Sequence, residues 1–353
     1  MEGKEPNLDN GKKIRIGLLG CGRVAPYHLH AISKIPKCEL AAVCDIVEEK
    51  AKVIALKNNV RYYTRYEDML LDRSIDLISV CTPHGLHAEH AIKAANSGKH
   101  VITEKPMAMN INDADLMIEA CKRNNVRLFV IKQNRYNPPV IKAREALEKG
   151  RFGKLILLNT TVFWTRPQNY FDMDAWRGTK AMDGGVIMNQ ASHHIDLVQW
   201  FGGDVESVFA YGNTLTHSFE VEDTAVVSLK FKNGAMGVIQ GTTSTFPKNL
   251  EGSLTILGEK GTVKIGGFAV NKLDHWDFED FRSEDEWIKE MHSEPPNEYG
   301  FGHLELYKDV IGALFYGKKT MMTGEEGRKS LELIQAIYLS MQTGKEIKLP
   351  LKI

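Results

Sequence analysis

Gly20-Cys21-Gly22-Arg23-Val24-Ala25, set directly after the apolar run from Ile14 to Leu19, constrains this chain more than any other stretch. A buried strand that ends in such a turn and opens into a helix is the start of a βαβ unit. Each small residue has a job there. Gly20 permits the tight turn, Gly22 lets a pyrophosphate approach the backbone, and Ala25 lets the helix pack closely on the strand. The unpaired N–H groups and positive dipole end of that helix then face the phosphates. Asp45 ends the next apolar run, at the distance where a carboxylate accepts from adenosine ribose hydroxyls. A carboxylate there repels a 2′-phosphate and no arginine follows it, so the expected cofactor is NAD rather than NADP.

Further apolar runs at 40–44, 77–81, 100–103 and 127–131 alternate with helical patterns at 28–35, 48–57, 86–96 and 112–123. Strands of that kind, separated by helices, predict a parallel sheet covered on both faces. The rhythm changes after Tyr136. One more helix at 140–147 is followed by longer strands at 154–165, 205–212, 224–231, 235–244 and 253–265, with hairpin signals at Asn233-Gly234 and Glu259-Lys260-Gly261. Two helices, 304–315 and 325–342, close the pattern, and 272–297 reads as a charged surface loop. The expected class is therefore α/β. A mobile arm (1–12) precedes a Rossmann domain with a parallel sheet (13–135), and an α/β domain with a large, open, mostly antiparallel sheet follows (136–353).

Composition narrows the function. Lys and Arg total 45 against 45 Asp and Glu, so no global field draws the chain to nucleic acid or a membrane. No run approaches the roughly 18 apolar residues of a membrane span, and residues 1–13 lack a signal peptide's apolar stretch. Five cysteines without CxxC spacing fit reduced, buried thiols, and a cytoplasmic location is expected.

Three segments carry candidate chemistry. Thr82-Pro83-His84 with His87 and His90 lies at a strand end. On a helix, positions i and i+6 diverge by more than half a turn, so a turn lining the cofactor is expected and no metal site. At the next strand end, Glu104-Lys105-Pro106 places a lysine where it can act on a bound substrate. Asp183-Gly184-Gly185 then leads towards Asn189 and His193, expected at i and i+4 on one helix. Oxidising a sugar alcohol needs a base for the hydroxyl proton as the hydride leaves, and histidine titrates in the right range.

Together with Trp176-Arg177 and Asp196, these residues resemble the Gfo/Idh/MocA family of oxidoreductases. The resemblance implies a Rossmann domain, a second domain whose open sheet mediates oligomerisation, and NAD as cofactor. It implies Lys105 holding and polarising the reacting hydroxyl, with His193 as acid/base. Arg23, Val24, Thr82, His84, His87, Glu104, Gln133, Trp176 and Arg177 are expected around the cofactor, with Gly20, Gly22 and Asp45. Many members of the family have Asp where this chain has Asn189, which cannot serve Lys105 as a carboxylate.

A narrower stretch, Arg166-Pro167-Gln168-Asn169-Tyr170 with Lys180 and Asn189 to His194, is similar to the UDP-N-acetylglucosaminuronate 3-dehydrogenases of surface-polysaccharide pathways. That likeness implies a nucleotide-sugar substrate oxidised at C3, contacted by Lys105, Arg166, Gln168, Tyr170, Asn189, His193 and His194. It also implies 2-oxoglutarate as a co-substrate that recycles NADH, and a homo-oligomer, dimer or tetramer. Two alternatives stand beside it: a dehydrogenase of a free polyol or aldose such as inositol, and a dinucleotide-sensing protein without catalysis.

Overall fold

The computed structural model describes residues 11–291 and 302–352. The first ten residues, which hold most of the expected arm, lie outside the described residues. So do the last six of the expected loop 272–297.

The first six strands are β1 (Ile14–Leu19), β2 (Cys38–Cys44), β3 (Arg61–Tyr63), β4 (Leu77–Val80), β5 (His100–Thr103) and β6 (Leu128–Val130). They form one parallel sheet in the order β3-β2-β1-β4-β5-β6. Helices cover both faces, so Ile16, Leu18, Leu77, Ile78 and Ile102 are wholly buried. The strand order reverses at β1/β4, and ligands of such sheets bind in the crevice at the carboxyl ends of the strands there.

The second sheet comprises β7 (Leu155–Phe163), β8 (Val205–Asn213), β9 (Thr224–Phe231), β10 (Met236–Thr242), β11 (Glu251–Gly258), β12 (Gly261–Gly266), β13 (Lys272–Phe278) and β14 (Ile347–Lys348). Its order is β13-β12-β11-β7-β10-β9-β8-β14, antiparallel throughout except for the β10/β7 pair. Strict alternation in β9 buries Ala225, Val227, Leu229 and Phe231 beneath the helix Ser192–Gly202 and its neighbours, while Val226 and Lys230 face outward.

One expectation is corrected here. The segment 272–297 is no simple loop, since it supplies β13 and the helix Glu284–Lys289. Leu273 and Trp276 anchor that strand inward, and Asp285 accepts from the Trp276 indole and the Arg151 guanidinium. The C-terminal helices also reach beyond the second sheet. Gly302–Tyr316 packs Leu306, Tyr307, Val310 and Ile311 onto Ile16, Leu77, Ile102 and Phe129 of the first. Val130 N–H donates to Met322 O at 2.8 Å, and Phe129 bridges Thr323. The helix Gly324–Thr343 then packs on both the helix Ile111–Arg123 and β8.

Candidate active site

The turn after β1 is shaped for a dinucleotide. Gly20 has φ +95°, and a Cβ there would lie 2.6 Å from Cys81 O, so no other residue fits without moving the β4 end. A Cβ on Gly22 would meet nothing within 4 Å, which leaves the face of that residue open to a phosphate. The helix Ala25–Lys34 begins without a side-chain cap or an acid in its first turn, so no acidic side chain opposes an anion there. Its leading N–H groups are not open as expected, however: Pro26 has none, and Ala25 and Tyr27 donate to Gly22 O and Val24 O at 3.3 and 3.0 Å. Asp45 accepts from Cys21 N–H through Oδ2 and from Val47 N–H through Oδ1, both at 2.8 Å. Each carboxylate oxygen keeps a lone pair for a hydroxyl. Next to it Ile46 is 92% exposed, an apolar surface the sequence reading overlooked and one suited to an adenine face. These residues fit NAD. Asp45→Ala should weaken NAD by roughly tenfold or more, the loss of hydrogen bonds to a charged group, and relax discrimination against NADP. Titration with both cofactors checks it, and unchanged selectivity would refute the role.

At the ends of β4 and β5 the structure draws several expected residues together. His87 is buried, its ring nitrogens 2.7 Å from Pro106 O and 2.8 Å from Thr82 O, so it staples one strand-end turn to the other. Thr82 Oγ1 lies 3.0 Å from His90 Nδ1. His84 sits against Asp183 O at 3.0 Å and packs edge-on to Trp176. His87 and His90 thus both reach Thr82, and the His84 and His87 rings pack with their centroids 5.7 Å apart.

Glu104 is nearly inaccessible. Its Oε1 lies 3.0 Å from His28 Nε2 and 3.5 Å from His303 Nε2, while Oε2 accepts from Lys105 N–H. Burial alone would raise its carboxyl, but the two histidine hydrogen bonds outweigh burial and hold it well below the usual carboxylate range. His28 continues to Tyr307 and Ser79. Among the described residues, His28, Glu104 and His303 are the one group close enough to share a metal ion. Glu104, expected around the cofactor, faces a buried network that fixes the Glu-Lys-Pro turn.

Lys105, Gln133, Asn189 and His193 line one cleft with Arg23, Trp164, Arg166, Tyr170 and Gln190. Lys105 Nζ donates to Asn189 O at 2.9 Å and Asn189 Oδ1 at 3.1 Å, which leaves one N–H for the cleft. Burial lowers the Lys105 pKa, with Glu104 and Asp183 pulling the other way. Burial, reinforced by the Lys105 charge, also pushes His193 well below the ordinary histidine range, so the ring is neutral and able to take a proton. Its Nε2 lies 3.0 Å from Gln133 Nε2, which donates to it and orients the ring. Asn189 is not helical, however: it lies in turns, and the helix begins at Ser192. The i, i+4 argument therefore does not apply, although tertiary packing brings both side chains to the same cleft.

The segment 166–177 is the least as expected. The Arg23, Arg166 and Arg177 guanidiniums stand 5.4, 5.5 and 4.6 Å from the Tyr170 ring centroid. Arg23, expected at the cofactor, lines this cleft beside Arg166. Its neighbour Val24 packs against the core of the first sheet. Arg177 donates to Tyr170 Oη and Asp174 Oδ2. Gln168 donates to Asp172 and accepts from Ser218 N–H, outside the cleft lining. Lys180 is exposed. His194 is wholly buried and edge-on to Trp164, and burial holds its ring at a pKa of about 4. It is a packing residue and lines no part of the cleft.

Behind His193, Asp196 receives Lys132 Nζ at 2.7 Å and Arg135 in a two-pronged pair at 2.8 Å each, and Arg135 reaches Glu326 at 3.1 Å. Burial would raise the Asp196 carboxyl, but Arg135 and Lys132 override it and hold it at about 2. A larger hollow of about 510 Å³ between Leu70 and His100 lies at the amino ends of β4 and β5, away from all of these groups.

Comparison with known proteins agrees with this geometry. Residues 14–132 match the NAD-binding Rossmann fold of the Gfo/Idh/MocA oxidoreductase family, and residues 144–349 match that family's C-terminal alpha/beta domain. The chain is 44% identical to the WlbA dehydrogenase of Bordetella pertussis, solved with NADH and UDP-GlcNAcA, at a TM-score of 0.91 and covering 97% of this chain and 99% of that one. The corresponding enzyme of Chromobacterium violaceum, in the same complex, is also 44% identical, with a TM-score of 0.92 and full coverage of both chains. Myo-inositol 2-dehydrogenase of Thermotoga maritima is 29% identical over 95% of this chain and 98% of its own length.

Proposed function

From the premise that the chain belongs to the Gfo/Idh/MocA oxidoreductases and is an NAD-dependent sugar dehydrogenase, we propose that it oxidises the C3 hydroxyl of a UDP-linked N-acetylated sugar acid, UDP-N-acetylglucosaminuronate. The observation that carries this choice is the ring of three guanidiniums around Tyr170 at the cleft that holds Lys105 and His193. Asp174 pairs with Arg177, and arginine's planar fork matches a carboxylate or phosphate. A neutral polyol supplies neither. The two WlbA complexes with UDP-GlcNAcA support the same substrate class.

In this reading NAD supplies the hydride acceptor. Lys105 directs its remaining N–H at the reacting hydroxyl and stabilises negative charge on that oxygen. His193, neutral and desolvated, takes the proton at Nε2, the reacting hydroxyl displacing the Gln133 N–H from that lone pair. Asp45 and the glycine turn hold the dinucleotide, and Arg166 with Arg23 holds the acidic end of the substrate. 2-Oxoglutarate would accept the hydride from NADH at its keto carbon, leaving as 2-hydroxyglutarate and restoring NAD⁺, and the oxidised sugar would enter surface-polysaccharide synthesis. The face of the second sheet turned away from its helices suits self-association, dimer or tetramer, because the register partners Tyr211 and Val226 are 69% and 50% exposed on it.

The test is NAD⁺ reduction by purified protein given UDP-N-acetylglucosaminuronate, with and without 2-oxoglutarate, and myo-inositol as comparator. Reduction with the nucleotide sugar alone is expected. Reduction with inositol alone would keep the cofactor and the Lys105–His193 pair and replace the substrate, a second reading that the Thermotoga relative favours.

A further inference from the structure

Position 189 holds an amide where a carboxylate would pair directly with Lys105. The carboxylate is nevertheless present, one hydrogen bond further out. Asp183, wholly buried, accepts from Asn189 Nδ2 at 2.6 Å through Oδ1 and from Gly178 N–H at 2.8 Å through Oδ2. Asn189 in turn presents Oδ1 to Lys105 Nζ at 3.1 Å. We infer that Asp183 is a positioning residue for Lys105, its negative charge relayed to the ammonium through the oriented Asn189 amide. This rests on the reading of Lys105 as the group that meets the substrate hydroxyl.

Three physical points carry it. An amide has a donor end and an acceptor end, so a carboxylate on one side forces the oxygen towards the cation on the other. The chain Asp⁻–amide–Lys⁺ is therefore aligned head to tail, which strengthens each link in a low-dielectric site. Gly178 N–H occupies the second carboxylate oxygen, so an amide at 183 would leave one of its two donors without an acceptor. Finally, two carboxylates could not both ionise 2.6 Å apart, which explains why Asn stands at 189 once Asp stands at 183. Burial raises the Asp183 carboxyl, while Gly178, Arg177, Asn189 and Lys105 draw it down. His84 Nδ1, 3.5 Å from Oδ1, is the remaining titratable neighbour.

The experiment is the pH dependence of Lys105 acetylation by acetic anhydride, read by peptide mass spectrometry, beside the kcat–pH profile with UDP-N-acetylglucosaminuronate. Asp183→Asn should move the Lys105 midpoint down by about one pH unit, because the anion that favours its charged form is gone. The double variant Asp183→Asn/Asn189→Asp, with the carboxylate now against the ammonium, should return the midpoint to the parent value or above it and recover kcat. A midpoint unmoved in the single variant, or unrestored in the double, overturns the inference. Should Asp183→Asn fail to fold, Asn189→Asp alone decides. It must create a carboxyl pair that shares a proton and adds a titration above the ordinary carboxylate range, and an unaltered profile overturns the relay. Labelling needs no substrate, so a wrong substrate leaves this test intact. Full activity in Lys105→Ala would instead remove the function from which the inference starts.

Discussion

His193→Ala lowers kcat by roughly 10²–10⁴-fold, the usual contribution of a positioned acid–base group, with NAD affinity unchanged. Lys105→Ala does the same. Both side chains line the cleft, and neither belongs to the glycine turn or contacts Asp45. Steady-state NADH formation and NAD titration on the same preparations separate chemistry from cofactor binding. A loss of tenfold or less in both variants would exclude this pair as the catalytic machinery. The two roles also differ in their pH signature. His193 is held well below the ordinary histidine range, so its protonation limb belongs on the acid side of the profile and disappears in His193→Ala.

Asp196→Ala costs about 3–5 kcal/mol of stability, the range for removing one partner of a buried ion pair. Lys132 and Arg135 are each about 95% buried or more; Arg135 would keep Glu326, while Lys132 would lose the carboxylate it donates to. Against a typical total of roughly 5–15 kcal/mol, that is a large share, visible as a lower urea midpoint. Asp196→Asn keeps the shape and loses only the charge, so it should fall nearly as far. A change below about 1 kcal/mol would show that the pair is not the anchor described here. The sign with pH follows from the depressed carboxyl. Its contribution is complete above the ordinary carboxylate range near 3.9 and disappears as pH falls through about 2.

Legibility of the fold tracked burial. The β1, β2, β4, β5 and β6 strands are apolar nearly throughout because helices cover both faces, and they could be read directly. β3 is three residues long and mostly exposed, so it leaves no apolar run. β13 was missed because only Leu273 and Trp276 are fully buried, and a register shift opposite Lys264/Ile265 breaks the two-residue alternation. At the site, Lys105 and His193 were legible from local motifs. Asp183 was visible as the acid before the glycine pair, yet its bond to Asn189 was hidden by treating 189 as helical. His28 and His303 had no signal at all. They lie 275 residues apart, so only the folded chain can bring them to Glu104. Lys132 and Arg135 did leave a trace, two charges at the carboxyl edge of β6.

The return of the C-terminal helices onto the first sheet bears on how the protein is made. At roughly 5–20 residues per second, some ten to forty seconds separate synthesis of the β6 region from that of the last helix. Throughout that interval the sheet flank formed by Ile16, Leu77, Ile102 and Phe129 has no cladding, for Leu306, Tyr307, Val310 and Ile311 are not yet made. The dinucleotide half emerges first and is finished last. A nascent or truncated chain ending near residue 135 is therefore sticky, dependent on chaperone shielding, and a poor choice as a stand-alone NAD-binding fragment.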